Sequence, residues 1–278
     1  MLDIVKKTYR GIKRRLSPTS IPIIQKVEEN HILSGDVALV TGGDGGIGSA
    51  IAKAFINAGA KVIITGRNET KLKACCDSLG ESSNYIVLDQ LNIEAFGEKI
   101  VEASKKFGKI SIFINSSGTH ISRKDVNYLN VSEKEYDSIM DLNLKGAYFL
   151  SQEVAKYYLK NNIQNARMIF ISSSRGSEPA WSPYGISKSG INSMTKGLAK
   201  ELISKGIIVN AIAPGPTATS LIDYKQGNSI YTDDNSIRRL TMPEEIAECA
   251  KFLCSGAGST IVGETIHMSG GRGVIDIR

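Results

Sequence analysis

The segment from residue 37 to residue 59 leaves this chain few folds to choose from. Val37-Ala38-Leu39-Val40 is a short unbroken apolar run, as expected of a strand buried on both faces. Thr41-Gly42-Gly43-Asp44-Gly45-Gly46-Ile47-Gly48 follows at once. Then Ala50, Ile51, Ala54, Phe55 and Ala58 recur at helical spacing, with Gly59 as a helix stop. Strand, glycine turn and helix in that order are the setting of a dinucleotide site. Glycines let the backbone approach a pyrophosphate, and the free N–H groups and positive dipole end of the helix attract it. The competing reading, a merely flexible glycine loop, does not account for the strand and helix on either side.

The alternation continues to the C-terminus. Lys61–Thr65, Tyr85–Leu88, Ile110–Asn115, Met168–Ser172, Ile207–Ile212 and Thr265–Met268 read as strands. Helices are expected at Glu69–Leu79, at Ile93–Phe107, from Ser132 towards Asn143, in a second helix from there to about Lys160, at Pro183–Ser204 and at Pro243–Leu253. Ser132 and Glu135 form a capping box, and Pro243 sits in a first turn. Strands separated by helices predict an α/β protein: one Rossmann-type, doubly wound domain over 34–278, with a parallel sheet of about seven strands and helices on both faces. Ligands should then lie at the carboxyl ends of the strands, where Asn115, Ser173 and Pro214 fall.

The chemistry centres on Tyr184 and Lys188, four residues apart, with Ser173 eleven residues earlier. On a helix, positions i and i+4 share a face, about 5–6 Å apart at Cβ. An ammonium there would stabilise a tyrosinate. Acid–base work near neutrality calls for a phenol about three units below its free value, roughly 4 kcal/mol of differential charge stabilisation. Taken alone, such a pair is as readily a solvated helix face.

Several motifs in order resemble the short-chain dehydrogenase/reductases. They are Thr-Gly-x-x-x-Gly-Ile-Gly at 41–48, Asn115-Ser116-Ser117-Gly118, Asn143 within Asp141–Gly146, Ser173 followed by Tyr184-x-x-x-Lys188, and Pro214-Gly215-x-x-x-Thr219. Gly263–Gly271 is similar to the C-terminal strand of the 3-oxoacyl-carrier-protein reductases among them. The resemblance implies hydride transfer between a nicotinamide and a carbonyl or alcohol carbon, with no metal. Tyr184 would give the proton to the carbonyl oxygen, and Lys188 would lower its pKa and bind the nicotinamide ribose. Ser173 would polarise the carbonyl, and Asn143 would hold a water linking Lys188 to solvent. Ser173 is singled out from Ser172 and Ser174 by Gly176, through the pattern Ser-x-x-Gly. Gly42, Asp44, Gly45, Ile47, Gly48, Asp89, Asn115, Gly118, Pro214, Gly215 and Thr219 would join Tyr184 and Lys188 in holding the cofactor. At the end of the second strand Gly66 stands where NAD enzymes usually carry an acid, and Arg67 follows. Arg67 can clamp a 2′-phosphate, which favours NADP(H) over NAD(H), whereas Asp44 in the glycine turn counts against it.

The expected reaction is NAD(P)H-dependent reduction of a ketone to a secondary alcohol, with 3-oxoacyl thioesters as the favoured class. A sugar or polyol dehydrogenase is the alternative. A catalytically silent binding protein would be expected to have lost one of Asn143, Ser173, Tyr184 and Lys188. The resemblance also implies a homotetramer built on helices Leu144–Lys160 and Pro183–Ser204, where Ala155, Tyr158, Ile191, Met194 and Leu198 offer apolar surface. Residues 217–239 are polar, contain Gly227 and Asn228, and read as a lid over the substrate. His120, after the fourth strand, is either a pocket residue or a solvated one.

Residues 1–33 lie outside the resemblance. Seven Lys/Arg against three Asp/Glu give this extension +4 of the chain's +6. Val5, Tyr9, Ile12 and Leu16 lie on one helical face, so weak binding to an anionic membrane or to a protein is open to it. The rest of the chain is nearly balanced, which gives no support for a nucleic-acid partner. Residues 1–20 lack the apolar core of a cleavable signal, and runs such as Val62-Ile63-Ile64 are far too short to span a membrane. The four cysteines have neither disulfide-framework nor metal-ligand spacing. A cytoplasmic protein is the expectation.

Overall fold

The computed structural model describes residues 31–225 and 227–277, so the basic extension up to residue 30 lies outside the described residues. Seven strands form one all-parallel sheet: β1 (Val37–Thr41), β2 (Lys61–Gly66), β3 (Ser83–Val87), β4 (Ile112–Asn115), β5 (Ala166–Ile171), β6 (Ile207–Pro214) and β7 (Thr265–Met268). Their order is β3-β2-β1-β4-β5-β6-β7. The chain therefore reverses its direction of winding between β1 and β4, and that switch point opens a crevice at the carboxyl ends of the strands.

Helices cover both faces, as a sheet of apolar strands requires. On one side lie α1 (Gly46–Asn57), α2 (Glu69–Leu79) and α7 (Pro243–Cys254), packed through Ile51, Phe55, Leu72 and Leu253 onto Val40, Ile64 and Ile114. On the other lie α3 (Phe96–Phe107), α5 (Ala147–Lys160) and α6 (Pro183–Leu202), packed through Phe96, Leu150, Tyr158 and Ile191 onto Leu39, Phe113 and Phe170. Leu33 is fully buried and its N–H donates to the Ala58 carbonyl at 3.0 Å, so packing onto the domain has begun by that residue.

One expectation needs correction, and another gains detail. The two helices expected around Asn143 are both present. Between α4 (Glu133–Met140) and α5, residues Asp141–Gly146 form a π-helical turn, the wider winding that recurs at functional sites. Gly146 permits it, since a β-carbon there would lie 2.4 Å from the Gln90 carbonyl oxygen. The expectation that fails is the set of interface residues. Ala155, Tyr158 and Ile191 face the sheet and are buried within the chain itself, and Met194 and Leu198 pack against the same core. The apolar residues that α5 and α6 do leave exposed are Tyr148, Leu159 and Ile186. Among the described residues, no helix is long and apolar enough to cross a membrane.

Candidate active site

The glycine turn after β1 is shaped by close contacts. Gly42 has φ +60°, a conformation that favours glycine, and a β-carbon on Gly48 would lie 2.2 Å from the Gly42 carbonyl oxygen. Gly45, the residue before α1, gives no side-chain cap, and the first turn of α1 carries no acid. The leading amides of α1 are thus left for an anion, as a pyrophosphate requires. Thr41 Oγ1 accepts from the Ser116 and Ser117 amides at 3.1 and 3.2 Å, tying the turn to the end of β4. Thr219, from the segment after β6, packs over Gly46, so Pro214, Gly215 and Thr219 close the other side of the crevice.

A cavity of about 670 Å³ opens from this crevice, and Ile47, Gly118, Ser173, Tyr184, Lys188 and Pro214 all line it. Ser182 caps α6 and Pro183 fills its first turn, which sets Tyr184 at the helix start and Lys188 one turn on. Ser173 Oγ accepts from the Arg175 amide at 3.2 Å, and the hydroxyl lies beside the Tyr184 phenol at the cavity wall. Ser172 is directed elsewhere: its hydroxyl donates to the Lys188 carbonyl and to Asn192 Oδ1 on α6. Gly176 lets the serine loop press onto α6, since a β-carbon there would meet the Lys188 carbonyl at 2.7 Å.

Lys188 is 5% exposed, and its ammonium donates to the Ile171 carbonyl at 2.8 Å. Burial pushes its pKa down to about 8. The ammonium stands 5.7 Å from the centre of the Tyr184 ring. Burial raises the phenol's pKa, opposed by the neighbouring Ser173 hydroxyl and by the Arg175 charge. This runs against the lowered phenol expected from a Tyr–Lys pair. A lysine that itself resists being charged in the buried site, and donates to a backbone carbonyl, does not outweigh desolvation of the ring.

Asn143 sits in the π-turn with both ends of its amide engaged. Oδ1 accepts from the Thr119 amide and Nδ2 donates to the Thr119 carbonyl, each at 2.8 Å, with a further bond from Nδ2 to Ser187 Oγ. The point where a Gly118 β-carbon would lie is 3.5 Å from both Asn143 Oδ1 and Lys188 Nζ, which places the three together. Asn115 is buried beside Gln90, whose own amide donates to the Leu142 carbonyl at 3.0 Å. Gln90 thereby links β3, β4 and the π-turn. Sequence reading missed it, since a glutamine after a strand carries no spacing signal. Asp89 and Arg67 are exposed at the strand ends, Asp89 accepting from the Leu91 amide.

The segment after β6 covers the cavity with Leu221, Ile222, Tyr231 and Asp234, as a lid would. His120 meets it from below: Nε2 lies 3.0 Å from the Leu221 carbonyl oxygen and Nδ1 2.8 Å from that of Ile121. Its ring stands edge-on to Tyr184 at 6.3 Å. At the far wall, buried Glu178 accepts from Arg272 Nε at 2.6 Å and from Arg175 Nη1 at 2.9 Å. This ionic group, also invisible in the sequence, ties the serine loop to the C-terminal segment.

Comparison with known proteins agrees with this geometry. The family pattern described as "Enoyl-(Acyl carrier protein) reductase" matches residues 42–272. The 3-oxoacyl-[acyl-carrier-protein] reductase FabG of Rickettsia bellii is 35% identical over 243 residues, covering 86% of this chain and 97% of that protein. A tropinone reductase homolog of Arabidopsis thaliana is 36% identical over 258 residues, covering 88% and 95%. Among solved structures, the 3-ketoacyl-(acyl-carrier-protein) reductase of Brucella melitensis, complexed with NADH, superimposes with a TM-score of 0.79 at 28% identity, covering 87% of this chain and all of that one.

Proposed function

This chain belongs to the short-chain dehydrogenase/reductase family and is an NAD(P)-dependent oxidoreductase, and we propose that it reduces a ketone to a secondary alcohol, with 3-oxoacyl thioesters as the substrate class. The observation that carries the reading is the convergence of Ser173, Tyr184 and buried Lys188 on the wall of one cavity, with the ammonium 5.7 Å from the centre of the phenol ring. The catalytic domain runs from about Leu33 to the C-terminus.

A bound nicotinamide supplies the hydride. Tyr184 gives the proton at its phenol oxygen to the carbonyl oxygen of the substrate. A pKa raised by burial keeps that phenol protonated at neutral pH, the form that reduction needs. Ser173, beside the phenol, donates its one hydroxyl proton to the same carbonyl oxygen, stabilising the developing alkoxide. An ammonium has three donors, and Lys188 spends one on Ile171, which leaves the others for the ribose hydroxyls of the cofactor. We assign Asn143 to bracing the β4 loop through Thr119, since its amide is already engaged there. Gly42, Gly45, Ile47 and Gly48 hold the pyrophosphate at the start of α1. Asp89, Asn115, Gly118, Pro214, Gly215 and Thr219 line the remainder of the cofactor crevice.

The family description names enoyl reduction, whereas two proton-donating hydroxyls converging on one point serve a carbonyl oxygen. The apolar lid residues Leu221 and Ile222 suit an acyl body better than a polyol. Exposed Arg67 supports NADP(H), and the position of Asp44 weighs against it. A homotetramer is part of the proposal, supported by exposed Tyr148 and Leu159 on α5. The test is a panel of 3-oxoacyl thioesters, ketoses and polyols with each nicotinamide cofactor, followed at the nicotinamide absorbance. Turnover of oxoacyl thioesters above the others supports the reading; turnover confined to sugars or polyols overturns the substrate class.

A further inference from the structure

Gly66 closes β2 at the place where an acidic side chain reads the adenosine ribose in NAD enzymes. Its backbone does not call for glycine, because its φ is not positive. Space calls for it. A β-carbon on Gly66 would lie 2.7 Å from Asp44 Oδ1 and 3.2 Å from Asp44 Cγ. The carboxylate from the glycine turn thus occupies the room in which a side chain at the end of β2 would begin.

The placement is built in from several sides. The Gly43 amide donates to the Thr65 carbonyl at 3.1 Å and pins the turn to β2. A β-carbon on Gly43 would lie 2.4 Å from Ile64 Cβ, so that residue too is glycine because the turn lies against the strand. Asp44 is half-buried and makes no ion pair among the described residues. An uncompensated carboxylate accepts well from a hydroxyl and repels a phosphate dianion.

Resting on the oxidoreductase reading above, we propose that Asp44 selects the cofactor. Its carboxylate accepts the adenosine-ribose 2′-hydroxyl of NAD(H) and excludes the 2′-phosphate of NADP(H), so the enzyme prefers NAD(H). Asp44 does from the glycine turn what an acid at the end of β2 would do, and Gly66 is the vacated position. The exposed Arg67, which the sequence suggests as a phosphate clamp, is outweighed by a carboxylate beside the same spot. Discrimination of this kind comes from the unfavourable contact as much as from the favourable one.

The test is equilibrium titration of the full chain with NADH and with NADPH, read by nicotinamide fluorescence without substrate, for wild type, Asp44→Asn and Arg67→Ala. Thermal melts confirm that each variant is folded. Wild type should bind NADH at least about tenfold more tightly than NADPH, the scale of one charge contact reversed in sign. Asp44→Asn should narrow that gap mainly by strengthening NADPH, and Arg67→Ala should leave NADH the tighter of the two cofactors. Tighter NADPH than NADH in wild type, or an unchanged ratio in Asp44→Asn, overturns the role of Asp44 and leaves the oxidoreductase reading standing. Binding of neither dinucleotide overturns the cofactor site itself, and this proposal with it.

Discussion

Glu178→Gln is the substitution whose cost can be worked most directly from the structure. Glu178 and Arg272 have side chains 2% and 6% exposed, joined at 2.6 Å, and Arg175 donates to the second carboxylate oxygen at 2.9 Å. Glutamine keeps the shape and one acceptor but leaves the Arg272 charge buried without its main partner. Removing one member of a buried pair costs about 3–5 kcal/mol. The Asp234 carboxylate at 3.5 Å still offsets part of the Arg272 charge, and Arg175 is half-exposed, so the lower end applies. For a domain of this size, each kcal/mol moves Tm by roughly 2–4 °C, which gives a fall of about 6–12 °C. The assay is thermal unfolding by circular dichroism at neutral pH. Because Ser174, Arg175 and Glu178 of this loop line the cavity, turnover should fall as well. A Tm within about 2 °C of wild type would show that the pair is not buried as described, since exposed pairs are worth under about 1 kcal/mol.

Other outcomes follow from single contacts. Gly48→Ala, whose β-carbon would lie 2.2 Å from the Gly42 carbonyl oxygen, should abolish binding of both dinucleotides in a fluorescence titration, because the turn must open to admit it. Burial lowers the Lys188 pKa to about 8, so its charged form is present below that pH and lost above it. The kcat/KM for reduction should accordingly be flat near pH 6–7 and fall above pH 8 with a slope near one, a limb that Lys188→Arg should displace to higher pH. Light scattering at micromolar concentration should report a tetramer, and Tyr148→Asp with Leu159→Lys should shift it toward smaller species; a wild-type monomer would refute assembly.

How far the sequence could be read depends on how local each signal is. The strands and helices are set by apolar runs and spacing within a dozen residues, and all seven strands fall close to their expected places. The capping box of Ser132 and Glu135 is present with both of its hydrogen bonds. The tyrosine, lysine and serine that meet at the cavity were legible because two share a helix face and the third ends a strand. What depends on contacts between distant residues was not legible. The π-turn needs Gly146 against the Gln90 carbonyl, 56 positions away. The direction of the Tyr184 shift needs the burial of the ring, which a four-residue spacing does not contain. Tyr158 and Ile191 look alike whether they face a sheet or a second subunit, and only the packing of α5 and α6 shows that they face the sheet. The pairing of Glu178 with Arg272 crosses 94 positions and leaves no pattern.

The central claim is that Tyr184 is the proton donor of a carbonyl reductase, and Tyr184→Phe tests it most directly. Phenylalanine keeps the ring over Lys188 and removes only the phenol hydroxyl. With the best oxoacyl thioester from the substrate panel, turnover should fall by about 10²–10⁴, the range for a positioned general acid, while NADH binding measured by fluorescence stays within about threefold. Retention of more than about a tenth of wild-type turnover by a folded, cofactor-binding Tyr184→Phe would contradict the account.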